Sequence, residues 1–522
     1  MEQGTLRAGL TAILLAQGFS AAADGDVARV IVKFRTGTTF TSAAARSPGD
    51  STAARALGAR LGLAMSAGTT VSDRVQVVSA TGLTSAELAG RLAQDGDVEY
   101  AVPDERRQVV RSPNDPLYAE GVSGNGPAAG QWYLRAPAGA VRSSLDIEPA
   151  WALTAGRPQV VVAVLDGGVR YEHPDLLEVA VGGNLLPGYD MVSDAAVAND
   201  GDARDGDASD PGDWVTQAEV AQRGGEFFRC ADSPQSSSWH GTQVSGLIAA
   251  VTHNGIGMAS TAPGVHVLPV RVLGKCGGRD SDIIAGMRWA AGLPVPGVPA
   301  NPHPARVINL SLGGEESCSA AYRDAVDEIT AAGTVIVAAA GNSSGHAVAT
   351  PASCPGVIAV AGLRHVGTKV GFSSLGSEVA ISAPGGNCVN EAAGAACLYP
   401  MLSTTDSGST VPAGSAYTDS FDAAVGTSFS APLVAGVAAL ALSLDPALTP
   451  ARVKELLQRT ARPFPTLGSI ATSAAAPECT APQLTLRGQA ADQLECYCTT
   501  ATCGAGMLDA AAAVAAAEAG RN

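Results

Sequence analysis

Basic residues are scarce in this chain. Lys and Arg total 33 against 49 Asp and Glu, a formal net charge of −16. No basic face is available to neutralise phosphates, so nucleic acid and anionic lipid are excluded as partners. Charged residues of both signs make up only 16% and aromatics 4%, while apolar residues reach 46%. Intrinsic disorder requires low hydrophobicity, which this composition lacks. Apart from the N-terminal segment, no stretch of about 18 apolar residues stands out, and no membrane span is expected in the mature protein. A C-x-x-C pair and a Cys/His zinc spacing are also absent. That leaves disulfides in an oxidising compartment as the reading of the ten cysteines. At 522 residues there is room for two to four domains of about 150 residues each.

Residues 1–23 hold Arg7, an apolar stretch from Ala8 to Leu15 and the triplet Ala21-Ala22-Ala23. This is the layout of a secretory signal peptide, with an Ala-rich helix as the alternative, and secretion is the expected destination. All ten cysteines lie beyond it. Cys230 is expected to pair with Cys276 and Cys318 with Cys354, while the partners of Cys388, Cys397, Cys479, Cys496, Cys498 and Cys503 are left open.

Residues 27–110 alternate strand-like ARVIVKF and RVQVVSA with a helix opened by Thr84, then VEYAVPD, a compact α+β unit. The Pro, Asn and Asp of the following stretch resist both helix and sheet and mark a boundary. Residues 111–522 carry apolar, β-branched runs: Gln159 to Leu165, Val265 to Leu273, Ala305 to Leu310, Thr334 to Ala340 and Gly356 to Ala361. Strands apolar on both faces belong to a buried, mainly parallel sheet. Helices are expected at Ser281 to Ala291, Ala320 to Ala332, Ser428 to Ser443 and Arg452 to Thr460, the last capped by Thr449 with Pro450 in its first turn. The fold class is a doubly wound α/β structure with helices on both faces, preceded by a small α+β domain. In such sheets functional groups gather at the carboxyl ends of strands.

Asp166 and Asn342 each end such a run. A buried Asp needs hydrogen bonds to stay ionised, and an imidazole N–H is a suitable donor. His240 opens HGTQVSGLIAA at a helix start, where the dipole disfavours imidazolium and keeps the ring available as a base. Ser428, in GTSFSAP, precedes a strongly apolar helix whose first-turn N–H groups face any developing negative charge. Asn342 ends TVIVAAAGN and offers a neutral amide donor. Taken singly, each is equally a turn former, a cap or a structural histidine.

Together, in the order Asp, His, Asn, Ser, the phrases DGGVRYEHPDL, HGTQVSG, SLGG, AAAGN and GTSFSAP make the sequence resemble the subtilisin-like serine peptidases from about Gln131 to Ala515. The resemblance implies that Asp166 orients the imidazole, His240 acts as general base and then acid, Ser428 attacks the carbonyl, and Asn342 with the Ser428 N–H holds the oxyanion. It further implies that Ser311, Leu312, Gly313 and Gly314 together with Ala339, Ala340 and Gly341 line the substrate cleft of a broad endopeptidase. Glu315 and Glu316 would add a bias towards basic residues, or else are solvated loop acids. The N-terminal unit resembles the family's inhibitor-like propeptide, expected to serve as intramolecular chaperone and inhibitor and to be cut between about Arg107 and Pro113. A monomer acting on protein or peptide substrates is expected.

Structural calcium is expected at two places. Asp175 with Asn254 in the loop 252–257 matches the family's strong site, where carbonyls and an Asn supplement one carboxylate. The stretch Asn199 to Trp214 crowds Asp202, Asp205, Asp210 and Asp213 with further acids, a second cation site or a solvated acidic loop. A serine esterase would use Gly341-Asn-Ser-Ser-Gly345 as its nucleophile turn, but no Asp or Glu lies between Ser343 and the last histidine, His365, so the order fails. An inactive binding module predicts the loss of a catalytic residue, and all four are present.

Overall fold

A computed structural model describes residues 27–38, 52–104, 112–119, 129–388, 397–419, 424–468, 476–484 and 489–520. The signal-peptide segment and most of the expected cleavage region lie outside these residues. The chain separates into two compact units, Met1–Val109 and Val110–Asn522.

In the first unit four antiparallel strands, β1 (Val27–Phe34), β2 (Met65–Ser72), β3 (Val75–Thr81) and β4 (Val98–Pro103), lie in the order β2-β3-β1-β4. Along β1 Ala28, Val30, Val32 and Phe34 turn inward and their neighbours outward, the alternation of a sheet with one covered face. The covering helix Ser85–Leu92 begins at Thr84, whose Oγ1 accepts from the Glu87 N–H at 3.2 Å while Glu87 Oε2 accepts from the Thr84 N–H at 2.8 Å. This reciprocal cap satisfies two otherwise orphaned donors.

The second unit is built on seven parallel strands: β5 (Val161–Asp166), β6 (Tyr189–Asp190), β7 (His266–Arg271), β8 (Val307–Leu310), β9 (Val335–Ala339), β10 (Ile358–Leu363) and β11 (Val379–Pro384). They lie in the order β11-β10-β9-β8-β5-β7-β6. Alternate residues of β5 enter opposite cores. Val162 and Val164 pack with the helices His240–Ala249 and Thr427–Leu444. Val161, Ala163 and Leu165 pack with Asp280–Ala290 and Ala320–Ala331. The strand order reverses around β5, which places a crevice at its carboxyl end.

The helix Thr427–Leu444 is long and apolar enough to cross a membrane by composition, contrary to the expectation that no such run exists beyond the N-terminus. Its Ser, Thr, Gly and Pro residues hide it from a search for uninterrupted apolar runs. It is the central core helix, and every one of its residues is buried except Ser428. Five disulfides join Cys230–Cys276, Cys318–Cys354, Cys388–Cys397, Cys479–Cys496 and Cys498–Cys503. The first two are the expected pairs.

Candidate active site

Asp166 closes β5 with its side chain 1% exposed. The Gly167 N–H donates to Oδ1 at 2.8 Å, and His240 Nδ1 lies 2.9 Å from both carboxylate oxygens. Facing acceptors, Nδ1 carries the ring proton and Nε2 is left as the basic nitrogen. Asp213 braces the approach to the histidine by accepting from Ser238 N–H at 2.7 Å and Ser238 Oγ at 2.8 Å.

Burial works against a charged imidazole, yet the Asp166 charge and hydrogen bond, aided by Asp213 and Asp210, outweigh it and hold the His240 pKa above the ordinary histidine value. This reverses the expectation that the helix start would suppress protonation. The acids that win are scattered in sequence and meet only in the fold.

Ser428 is the second residue of its helix. Four residues on, Pro432 has no N–H, so the Ser428 carbonyl lacks its helical donor. Ser311 Oγ takes that place at 2.7 Å, and Ser428 Oγ in turn donates to the Ser311 carbonyl at 3.1 Å. The serine is thereby tied to the end of β8. The Phe429 ring lies 5.8 Å from the His240 ring. No hydrogen bond joins the Ser428 hydroxyl to His240, as is common before substrate aligns the pair.

Asn342 Oδ1 accepts from both the N–H and Oγ1 of Thr427, each at 2.9 Å. A backbone N–H can only donate, so the atom facing Thr427 is the oxygen and Nδ2 is left on the cleft side. A methyl group placed on Gly426 would lie 3.5 Å from Asn342 Nδ2 and 3.6 Å from Ser428 N. Two nitrogens thus flank one point, and among the described residues neither has a protein acceptor. The amide loop is held from behind: Ser374 N–H donates to the Gly341 carbonyl at 2.9 Å, and Gln493 N–H to the Ser344 carbonyl at 2.6 Å. Gln493 lies within the loop closed by the Cys479–Cys496 disulfide. Nothing local marked Thr427, Ser374 or Gln493, because the partners named here lie 33 to 149 residues away.

Of the expected cleft residues, Ser311 to Gly314 border a pocket with Asp166 and His240, and Leu312 to Gly314 also border an adjoining one with Asn342, Ser428, Ala339 and Gly341. Ala340 does not: it is fully buried in the core beneath the sheet. Gly314 is already paired, exchanging two 2.9 Å backbone hydrogen bonds with Thr350, which leaves Gly313 as the nearer free edge.

The two expected calcium sites differ. Asp175 is fully buried; its Oδ1 accepts from Asn254 Nδ2 at 2.7 Å, and its Oδ2 from Met258 N–H at 2.8 Å and Tyr417 OH at 2.9 Å. Asp115 joins the same loop, accepting from the N–H groups of His253 and Asn254. Asp202, Asp205, Asp210 and Asp213 are not brought together. Among the described residues the ligand atoms of no three acidic or histidine side chains converge within 4.8 Å; only Cys479, Cys498 and Cys503 do, and these are disulfide-bonded. Of the acids in the stretch, Asp200 pairs with Arg271, which also holds Asp190, while Arg204 of the stretch itself pairs with Asp282. Asp205, Asp207 and Asp210 each accept from the backbone N–H two residues on.

The fold and the cleft define a hydrolase built at the carboxyl edge of a parallel sheet. The subtilase family model matches residues 157–493. The chain is 39% identical over 446 residues to an extracellular protease of Xanthomonas campestris pv. campestris, covering 84% of this chain and 69% of the relative. It is 38% identical over 378 residues to an extracellular basic protease of Dichelobacter nodosus, covering 72% of this chain and 56% of the relative. Among solved structures it is similar to a protease from Pseudoalteromonas arctica at 41% identity and a TM-score of 0.62, over 78% of this chain and all of that one. The chain belongs to the subtilase family and is a secreted serine peptidase.

Proposed function

We propose that the chain hydrolyses peptide bonds of proteins through an acyl-enzyme formed on Ser428. The observation that carries this reading is that Asn342 Nδ2 and the Ser428 N–H, neither with a protein acceptor among the described residues, lie close together at the start of the helix that bears the Ser428 hydroxyl. The hydroxyl proton passes to His240 Nε2 as Oγ bonds to the scissile carbonyl carbon, and the oxyanion falls between the two donors. When the C–N bond breaks, His240 returns the proton to the leaving amine, and water then repeats the sequence in reverse roles. Asp166 stays ionised and fixes the ring. In the same reading the N-terminal unit is a propeptide, and the mass of the secreted enzyme reports its removal.

The pH dependence tests the acid–imidazole pair. Only neutral His240 can accept the proton, so activity falls as pH drops through its pKa, which lies above the ordinary value of about 6.5. The acid limb of kcat/KM on a peptide anilide is therefore expected to have its midpoint above that value. Asp213→Asn, which keeps an acceptor for Ser238, is expected to move the midpoint down. A midpoint below about 6.5 that ignores the substitution would contradict the assignment.

Structural calcium is general in the family, and Asp175 with Asn254 is our candidate for it here. Two buried carboxylates, Asp175 and Asp115, share one loop, among the described residues no basic side chain forms an ion pair with either, and burial pushes both carboxyl pKa values up, Asp175 also through Asp115. Hard oxygen donors suit calcium, whose charge would relieve both effects. Removal of calcium by EDTA is expected to lower the melting temperature of the mature enzyme, and Asp175→Asn to abolish that difference. A melting temperature indifferent to EDTA would remove the site.

A further inference from the structure

The pocket beside Ser428, about 240 Å³, is walled by Leu312 to Glu315 on one side and by Ala339 and Gly341 to Ser343 on the other. Glu315 is the one charged residue of its lining. Its Oε1 lies 3.5 Å from Ser343 Oγ, at the outer limit of a hydrogen bond. Among the described residues no Lys, Arg or His pairs with it. Ser343 follows Asn342, with Cα atoms about 3.8 Å apart, so the carboxylate stands about one residue beyond the amide proposed to hold the oxyanion. A side chain leaving the residue that supplies the scissile carbonyl starts at that amide and enters this pocket. The adjoining pocket of about 500 Å³ carries Asp213, Asp280 and Glu316, and neither lining includes a Lys or Arg.

We infer that Glu315 sets specificity, favouring substrates whose scissile carbonyl belongs to a lysine or arginine. The inference rests on the peptidase reading and deepens it. The rest of the lining is uncharged, Leu312, Ala339, Ala349 and three glycines with the polar Asn342, Ser343, Thr427 and Ser428, so apolar side chains are also accepted and the carboxylate acts on the ratio between basic and apolar residues. A side-chain ammonium drawn from water into the pocket meets a carboxylate with no competing cation. The expected preference is roughly tenfold, between a screened surface pair and a fully desolvated one.

The test uses the mature enzyme and two peptide anilides that differ only in lysine or norleucine at the cleaved residue. The expected ratio of kcat/KM, lysine over norleucine, is about ten at low salt and falls as salt screens the pair. Glu315→Gln is expected to bring the ratio towards one and to remove its salt dependence, and Glu315→Lys to invert it. A ratio that Glu315→Gln leaves unmoved, or that salt does not change, would overturn the inference. If Ser428 reacts normally with a fluorophosphonate while the ratio stays unmoved, the Glu315 assignment alone fails. If neither peptide is cleaved and Ser428 does not react, the peptidase reading falls and takes this inference with it.

Discussion

Replacement of Ser428 by Ala is expected to lower kcat on a peptide substrate by about a millionfold, the size of the loss known for removing the nucleophile of subtilisin. The structure supports so large an effect because the hydroxyl is the one reactive group the central helix exposes. Every other residue of Thr427–Leu444 is buried. The helix start also delivers a free N–H beside the hydroxyl, and removal of Oγ leaves that donor in place. Some residual turnover from the two oxyanion donors and from substrate binding should therefore survive. The substitution removes one hydrogen bond to Ser311, from Oγ to its carbonyl, and the Ser311 Oγ bond to the Ser428 carbonyl remains, so folding should be nearly unchanged. Stopped activity with an unchanged melting temperature is the expected pair of results.

Asn342→Ala is expected to lower kcat by roughly 10²–10³, with KM little changed, because the amide acts on charge that exists only in the transition state. The same change has a structural cost. Thr427 N–H and Oγ1 both donate to Asn342 Oδ1, and alanine leaves them without that acceptor, which costs about 1–3 kcal/mol where such groups are buried. Asn342→Asp separates the two effects: it restores an acceptor for Thr427 while placing a negative charge where the oxyanion forms. Its melting temperature should recover towards the parent value, while its kcat falls at least as far as that of Asn342→Ala. Recovery of both would show that the amide supports the loop and not the reaction.

The parts of this account that were legible in the sequence are those written in local pattern. The β-branched runs that became β5, β7, β8, β9 and β10 are apolar on both faces, and a buried parallel strand leaves that signature. Thr449 and Pro450 marked a helix start that the structure places there, with Thr449 Oγ1 accepting from the Arg452 N–H at 3.4 Å. The β6 strand, two residues long, has no pattern to read, and β11, VAISAP, ends in a proline that argues against a strand. In the first unit MSAGTTVS has a Gly at its centre and exposes much of its length, so β2 escaped notice.

Less legible were relations between distant residues that no family phrase carries. Arg271, 1% exposed, pairs with Asp190 and Asp200, so one acid of the crowd that suggested a cation site is held by an arginine more than 70 residues away in the chain. The charges that raise the His240 pKa come from Asp166, which the resemblance had placed against the ring, and from Asp213 and Asp210, which nothing in the sequence placed there. Cysteine counting limits disulfide pairing without choosing it, and the bonds Cys479–Cys496 and Cys498–Cys503 brace a segment that reaches back to the loop carrying Asn342.

The measurement that bears most directly on the central claim is the mass of peptides from the mature enzyme after exposure to a fluorophosphonate near pH 8. The account predicts one stoichiometric adduct, on Ser428, with loss of activity in step with labelling, and no adduct in Ser428→Ala. An active enzyme whose Ser428 stays unmodified, or whose label sits on another serine such as Ser343, would contradict it.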